Sequence, residues 1–489
     1  MRKLIPLFLM LFFVSAAFSQ YNGNFSVVRA EVDFSRVLRE WDGFGFNYVE
    51  TSQTMDYEKD PQEYGGLSIL SEQERQEVID LIFGNDGLKP GLVKMFLDPW
   101  HQEEPGGEFD HKTTTEWMRY FVRNGLEKTR NRGDDLEIIT TLYGPPPWAT
   151  KQKFLRGRDL DPAQKYNLAT YIIDWVEFLR TEEGFPVKYI SLHNEGEDWM
   201  RWPADGESGN IGTGHDYNMY WPPEQVADFI KFMRPMLDER GLTDVGLTPG
   251  ECTNWYRFSY WGYADALAET PGVVESLGMV VSHGFYSGDY GRWFGEHRSV
   301  GIDHIRDKKP DMHAWVTSTS WSGMDADNLK EHHGNIYSAK VNGIIPWAGM
   351  QRPTKWVGGD PNPGCAINVD EEGNYTVRRG YYYYKQVSRA GQPGMGVART
   401  MAQDSEIAVI AFARNGTENP SAFVVVNIDN DDKKVAIKVK GSDGRHYDAF
   451  RTTDDESDLY ANIGSYSLNK DDVIIYKTPA RSATTFFAK

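Results

Sequence analysis

The residues best placed to do chemistry are Asn194 and Glu195, near the end of the run Tyr-Ile-Ser-Leu-His-Asn-Glu-Gly-Glu-Asp at 189–198. The run reads as a short apolar strand that delivers a carboxamide and a carboxylate at its end. A carboxylate so placed can protonate a leaving group or accept a proton from a nucleophile. A helical segment, 168–180, and a Gly-Phe-Pro turn at 184–186 precede it, and a loop rich in Trp, Asp and Gly follows. A strand that follows a helix and ends in an acid is how barrel enzymes set catalytic groups at one face. In isolation Glu195 reads better as one of many loop acids on an acidic protein, so the elements around it decide.

Those elements alternate. A Gly-containing apolar run at 41–47 suggests a strand with close backbone approach. Ser71-Glu72-Gln73-Glu74 is a capping box, and Val78, Ile79, Leu81 and Ile82 give the helix behind it an apolar face. Strands are expected at 92–97, 136–142, 187–193, 245–248, 278–283, 313–317 and 343–346, with helices at 113–127, 161–180, 223–240, 297–306, 327–340 and 379–390. The strands end, in order, at Asp98, at the Pro-Pro-Pro-Trp148 turn, at Glu195, at Glu251, before Phe285-Tyr286, before Ser318 and at Trp347. Eight strands alternating with helices predict a (β/α)8 TIM barrel. A doubly wound sheet would carry a Gly-rich phosphate turn after its first strand, and none is evident. No P-loop, zinc-type Cys/His spacing or calcium loop is seen, so no metal and no organic cofactor are implied.

Beyond 391 the pattern changes to short strands, at 407–414, 421–428, 434–439, 447–452, 465–468, 472–477 and 483–487, parted by Asn-Gly, Asp-Asn-Asp and Asp-Gly turns. This predicts an appended antiparallel β-sandwich. Strands at 25–37 can pair into it. The expected division is a signal peptide at 1–19, N-terminal strands at 20–40 joining the sandwich, a catalytic barrel at 41–390 and a C-terminal sandwich at 391–489.

The signal peptide rests on Arg2 and Lys3, an apolar run at 4–14 and a small-x-small site at Ala17-Phe18-Ser19. No Cys follows that run, so a lipid anchor is not indicated, and no later stretch is long enough to span a membrane. The expectation is a secreted or periplasmic protein. The chain of 489 residues has a net charge of −19 with its acids scattered, which argues against a nucleic-acid partner, since phosphate binding needs a basic surface. Two cysteines, Cys252 and Cys365, cannot make a disulfide scaffold, and sequence leaves open whether they are bridged. Aromatic residues, many near loop starts, together with acids suit neutral sugars, although many of these rings belong to the core.

At this point the chain resembles glycoside hydrolase family 30, in the clan of (β/α)8 retaining glycosidases. Asp42-Gly43-Phe44-Gly45 is similar to that family's first-strand signature, and 144–151 (Gly-Pro-Pro-Pro-Trp-Ala-Thr-Lys) to its third-strand Ser-Pro-Pro-x-Trp-Met-Lys. His193-Asn194-Glu195 sits where the family has its fourth-strand Asn-Glu, His283-Gly284-Phe285-Tyr286 resembles its His-x-Tyr region, and 380–393 its last helix and exit into the sandwich. The resemblance implies a carbohydrate substrate and hydrolysis of O-glycosidic bonds. It places the acid/base on Glu195 and a contact to the sugar 2-hydroxyl on Asn194. Trp148, Tyr286 and Trp347 end their strands as the expected sugar platform, beside His283, and Asp98 is an expected hydroxyl acceptor.

The sequence departs from that pattern at the second catalytic acid. In place of Trp-x-Thr-Glu stands Trp315-Val316-Thr317-Ser318, so Ser318 holds the nucleophile position, and no acid lies between Asp311 and Asp325. A serine hydroxyl with no base beside it is a poor nucleophile. Three readings follow. Another carboxylate takes over, with Glu251 preferred because it ends the neighbouring fifth strand, and Glu50, Asp98 and Glu197 behind it; the reaction would then invert. Alternatively, Glu251 accepts a sugar hydroxyl or pairs with Arg or Lys. A second reading is a catalytically inactive glycan-binding protein. A third is non-standard chemistry on a carbohydrate, such as elimination or assistance by a substrate group, served by His101, His193, His283, Lys94 or Lys151.

Overall fold

The computed structural model describes residues 26–52, 61–153, 155, 157–197, 218–285, 297–352 and 364–489. The expected signal peptide at 1–19 and Tyr286 lie outside the described residues.

Eight parallel strands form one sheet. In chain order they are Gly43–Asn47, Leu92–Leu97, Glu137–Leu142, Val187–Ser191, Gly246–Thr248, Met279–Ser282, His313–Thr319 and Gly343–Pro346. Each pairs with the next except the fifth with the sixth, and the eighth pairs with the first. Bridges between Leu247 and Leu277 and between Cys252 and Ser282 join the fifth strand's segment to the sixth's and close the ring. The fold is a (β/α)8 barrel. Its lumen is filled low down by Leu92, Ile139, Tyr189, Met279, Val281, Trp315 and Ile345. The opposite faces of the same strands, with Phe44, Val93, Ile138, Ile190 and Ile344, pack under the surrounding helices. Side chains alternate across each strand, so the residue two places beyond a lumen residue faces the mouth.

Local chemistry explains the helices. The capping box at Ser71 forms: Ser71 Oγ accepts from the Glu74 amide at 3.3 Å, and the Glu74 carboxylate accepts from the Ser71 amide at 2.9 Å. The helix expected from 113 opens with a 3-10 turn, Thr113–Thr115, and becomes α-helical over Glu116–Asn131. The helix expected over 327–340 runs as Ala326–Gly334 and then widens into a π-turn, Asn335–Ala339. Between Glu251 and the sixth strand lie three short helices that periodicity did not reveal: Trp255–Tyr260, Tyr263–Glu269 and Val273–Ser276. Gly262 and Gly272 separate them, both left-handed at φ 88° and 83°. Each helix is too short to show a helical repeat.

The second layer is a nine-stranded sheet built from both chain ends. Val28–Glu40 pairs antiparallel with Gly396–Ala402, a strand the sequence did not reveal, and parallel with Lys433–Lys440. The other pairings are antiparallel. The sheet curls over its own core, so that Tyr476 near one edge meets Phe486 at 5.2 Å and bonds Thr484 at 2.7 Å. This is the appended β-sandwich. It is fixed to the barrel through Trp41, whose ring packs on Phe412 at 5.1 Å and whose indole donates to the Gly391 carbonyl at 3.0 Å. Cys252 and Cys365 are both buried, and no disulfide joins them.

Candidate functional site

Above the apolar floor of the lumen the inward positions turn polar. Lys94 follows Leu92, Thr141 follows Ile139, His283 follows Val281 and Thr317 follows Trp315. The fourth and fifth strands extend past their last regular pairs as one parallel bridge, Asn194 to Glu251. Within it the Glu195 amide donates to the Glu251 carbonyl at 2.7 Å, and the Glu251 amide to the His193 carbonyl at 2.8 Å. Two backbone features aim the acids. Glu195 is left-handed, at φ 51°, a conformation that costs a non-glycine residue energy and is often retained at functional positions. Gly250 has φ 101° and lies so close to His193 that a Cβ there would sit 2.2 Å from the imidazole.

The acids converge on one imidazole. His283 Nδ1 lies 2.9 Å from Glu195 Oε1, and its Nε2 lies 2.9 Å from Glu251 Oε2. Across that ring the two bonded oxygens stand roughly 8 Å apart. Glu251 is otherwise fully engaged: Lys94 Nζ donates to Oε2 and Thr141 Oγ1 to Oε1 at 2.5 Å. Lys94 Nζ also reaches Ser318 Oγ at 2.9 Å, and Ser318 donates to the Thr317 carbonyl. Glu251 thus forms a fully buried ion pair with Lys94, one of the contacts expected of it.

Electrostatics follow from these contacts. Burial alone would raise Glu251, but Lys94 and His283 hold its carboxyl down at about 2. Burial would lower His283, but its hydrogen bonds to Glu195 and Glu251 raise it above the usual histidine value. The Glu251 side chain is 0% exposed and that of Glu195 7%, so Glu195 is the one of the pair with an edge to the mouth. His193, pushed down to about 3 by burial, accepts from the Gly196 amide at 3.0 Å and supports the turn after Glu195.

The other expected site residues divide. Asn194 adjoins Glu195 and donates to Asn218 Oδ1 at 3.3 Å. Asp98 is buried and accepts from the Trp100 amide at 2.8 Å. Trp347 is largely buried, edge-on to Phe96 at 5.7 Å and stacked with Tyr143 at 6.3 Å. Trp148 is half-buried and donates to the Gln102 carbonyl at 3.3 Å. Two of the weaker carboxylate candidates carry structural bonds: Glu50 accepts from the Met118 amide at 2.7 Å, and Glu197 pairs with buried Arg257 at 3.1 Å. Two further side chains at the mouth were not singled out from sequence, Thr141 and Asn47. Asn47 is the one polar side chain of its strand, which is the only signal it left, and Thr141 is one of two adjacent threonines and left none.

No protein-family model and no curated protein matches the sequence. Solved structures do match. A GH30 endoxylanase from Clostridium papyrosolvens C71 aligns at 14% identity over 94% of this chain and 100% of its own, with a TM-score of 0.66. The glycoside hydrolase family 30 subfamily 8 xylanase from Clostridium acetobutylicum aligns at 18% identity over 94% and 98%, with a TM-score of 0.67. The endo-β1,6-glucanase BT3312 aligns at 15% identity over 94% of each chain, with a TM-score of 0.64. Over nearly its whole length, barrel and sandwich together, the chain has a glycoside hydrolase family 30-like fold.

Proposed function

We propose that the protein is a glycoside hydrolase acting on a polysaccharide or oligosaccharide, with Glu195 as the group that protonates the leaving oxygen. The observation that carries this reading is the Glu195–His283 contact at 2.9 Å, set at the C-terminal face of a family 30-like barrel. A general acid must hold its proton when the bond breaks, so a carboxylate beside a cation, whose charge favours the ionised form, needs a proton store next to it. The imidazolium of His283, favoured by two carboxylates, is such a store, and its Nδ1 proton lies one hydrogen bond from Glu195 Oε1.

Glu251 takes a different role from the one expected of it. Its distance from Glu195 suits an inverting pair, which needs about 6.5–9.5 Å between carboxyl groups. Its state does not suit a base, because a carboxylate at about 2 with Thr141, Lys94 and His283 on its oxygens has little affinity for a water proton. We assign Glu251 the role of counter-ion to His283 and Lys94. The same observation favours a second reading, in which a group on the substrate attacks the anomeric carbon and the protein supplies the acid.

The test is hydrolysis of xylan, β-1,6-glucan and a broad panel of plant, algal and host oligosaccharides, with Glu195→Gln as control and the product anomer followed by NMR. Turnover lost by about 10²–10⁴ in the variant supports the acid role. Inverted product points to direct attack by water, and retained product to assistance by the substrate. Binding without turnover in the parent protein would sink the hydrolase reading in favour of a glycan-binding protein.

A further inference from the structure

We propose that Asn47 reads a pair of neighbouring hydroxyls on the bound sugar, a contact that no feature of the sequence assigned. The inference rests on the reading of the barrel mouth as a glycan site. Asn47 ends the first barrel strand and is paired in register with Lys94. Its direction is fixed by Gly45, two residues earlier. A Cβ on Gly45 would meet Ile345 at 2.6 Å and Leu92 at 3.0 Å, both lumen residues, so Gly45 faces the barrel axis. By alternation Asn47 faces the axis one layer higher, on the side of the mouth, while Phe46 between them packs outward on Phe121 at 5.8 Å.

The side chain is fully buried, and neither its amide nitrogen nor its amide oxygen has a hydrogen-bond partner among the described residues. A buried primary amide left unpaired on both atoms is costly, and exchanging its oxygen and nitrogen does not relieve it. The polar group beside it is directed elsewhere: Lys94 bonds Glu251 and Ser318. Asn47 therefore offers two donor hydrogens and an acceptor beside Lys94, on the inward face of the barrel. A carboxylate or sulfate could use only the donors and would confront the amide oxygen, and an ammonium could use only the acceptor. Hydroxyls both give and accept, so a vicinal diol of a neutral sugar unit satisfies both ends at once. A site that demands such bonds discriminates strongly against ligands that lack them.

The test separates a ligand role from a structural one. Neutral xylo-oligosaccharides and β-1,6-gluco-oligosaccharides are titrated calorimetrically into the Glu195→Gln protein, which retains the mouth without turnover, and into the same protein carrying Asn47→Leu or Asn47→Asp. The expected result is an affinity at least tenfold weaker in both Asn47 variants for the oligosaccharide that binds. The Tm of Asn47→Leu should be equal to or above that of its parent, because an unpaired amide has been replaced by an apolar group of similar size. A fall in Tm with unchanged affinity would overturn the proposal and make Asn47 structural. Failure of both oligosaccharide series to bind the Glu195→Gln protein would overturn it too. Hydrolysis by the parent protein is scored separately. Binding that depends on Asn47 without hydrolysis leaves this contact standing and removes the hydrolase reading. Hydrolysis with binding indifferent to Asn47 does the reverse.

Discussion

Glu195 and Glu251 hydrogen-bond opposite nitrogens of a single imidazole, each at 2.9 Å. Neutral imidazole has one donor and one acceptor nitrogen and could serve only one carboxylate well, whereas imidazolium donates to both. The arrangement selects the charged ring. It also couples the two acids: a proton that passes from Nδ1 to Glu195 leaves the Nε2 hydrogen on Glu251, and the Lys94 contact to the same Oε2 holds Glu251 in place.

The charged ring makes a prediction about stability and pH. The pKa of His283 is raised on folding, so its interactions stabilise the protein fully below the unfolded value of about 6.5 and are lost as pH rises through the folded value. The wild-type protein should exceed His283→Gln in Tm at about pH 6, and the gap should narrow as pH rises to about 9. Thermal unfolding of both proteins across that range checks it. A gap independent of pH would mean that the ring is neutral in the folded protein. Activity of His283→Gln should fall as well, with its pH profile displaced, because the acid has lost its proton store.

Lys94 and Glu251 form a fully buried ion pair, and removing one partner strands the other. Lys94→Met should cost about 3–5 kcal/mol, much of it recovered when Glu251→Gln is added, because the isolated charge rather than the lost contact dominates. A double-mutant cycle by denaturant unfolding measures this, and additive effects would refute the pairing. The acid limb carries the opposite sign to that of His283. The depressed Glu251 carboxyl stabilises the protein above the ordinary carboxylate range of about 4.3 and ceases to as pH falls to about 2.

Much of this architecture was legible beforehand, for reasons that particular residues display. The barrel was readable because each strand is a short apolar run between helices with plain start signals, Ser71 being the clearest. Glu195, Asn194 and Glu251 were readable because they end strands. The Lys94–Glu251–His283 chain was not, since it joins three strands that are far apart in sequence, and each residue alone looked like an isolated base or acid. Asn47 was hidden for another reason: one amide in an apolar run looks like a surface residue until Gly45 and Ile345 show which way it faces. The strand Gly396–Ala402 was missed because exposed Arg399 and Met401 blur its alternation.

Gly250 tests how tightly the bridge between the fourth and fifth strands is set. Its φ of 101° disfavours any side chain, and an added Cβ would lie 2.2–2.5 Å from the His193 ring. Gly250→Ala must push His193 away from the Gly196 amide or shift Glu251 from its bridge to Asn194. The expected outcome is a loss of about 1–3 kcal/mol in stability, with a fall in kcat larger than any change in KM, since Glu195 and Glu251 are moved together. Unchanged kinetics would show that the bridge tolerates displacement and that its geometry is not what fixes the acids.

Ser318 decides whether the serine itself reacts. Its hydroxyl accepts from Lys94 at 2.9 Å and donates to the Thr317 carbonyl, so its proton is directed at a backbone oxygen and not at a base. Nucleophilic serine needs the reverse arrangement, with its proton on a basic partner that can take it during attack. Lys94, bound to Glu251, is not placed to be that partner. Ser318→Ala should therefore keep turnover within about tenfold of the parent, whereas loss of a covalent nucleophile costs several orders of magnitude. Steady-state rates on whichever glycan the panel identifies, with intact-mass measurement for a trapped glycosyl adduct, make the comparison. A collapse of activity in Ser318→Ala with an adduct on the parent protein would assign the serine the first attack on the anomeric carbon, in place of a substrate group, with water releasing the sugar from the serine in a second step.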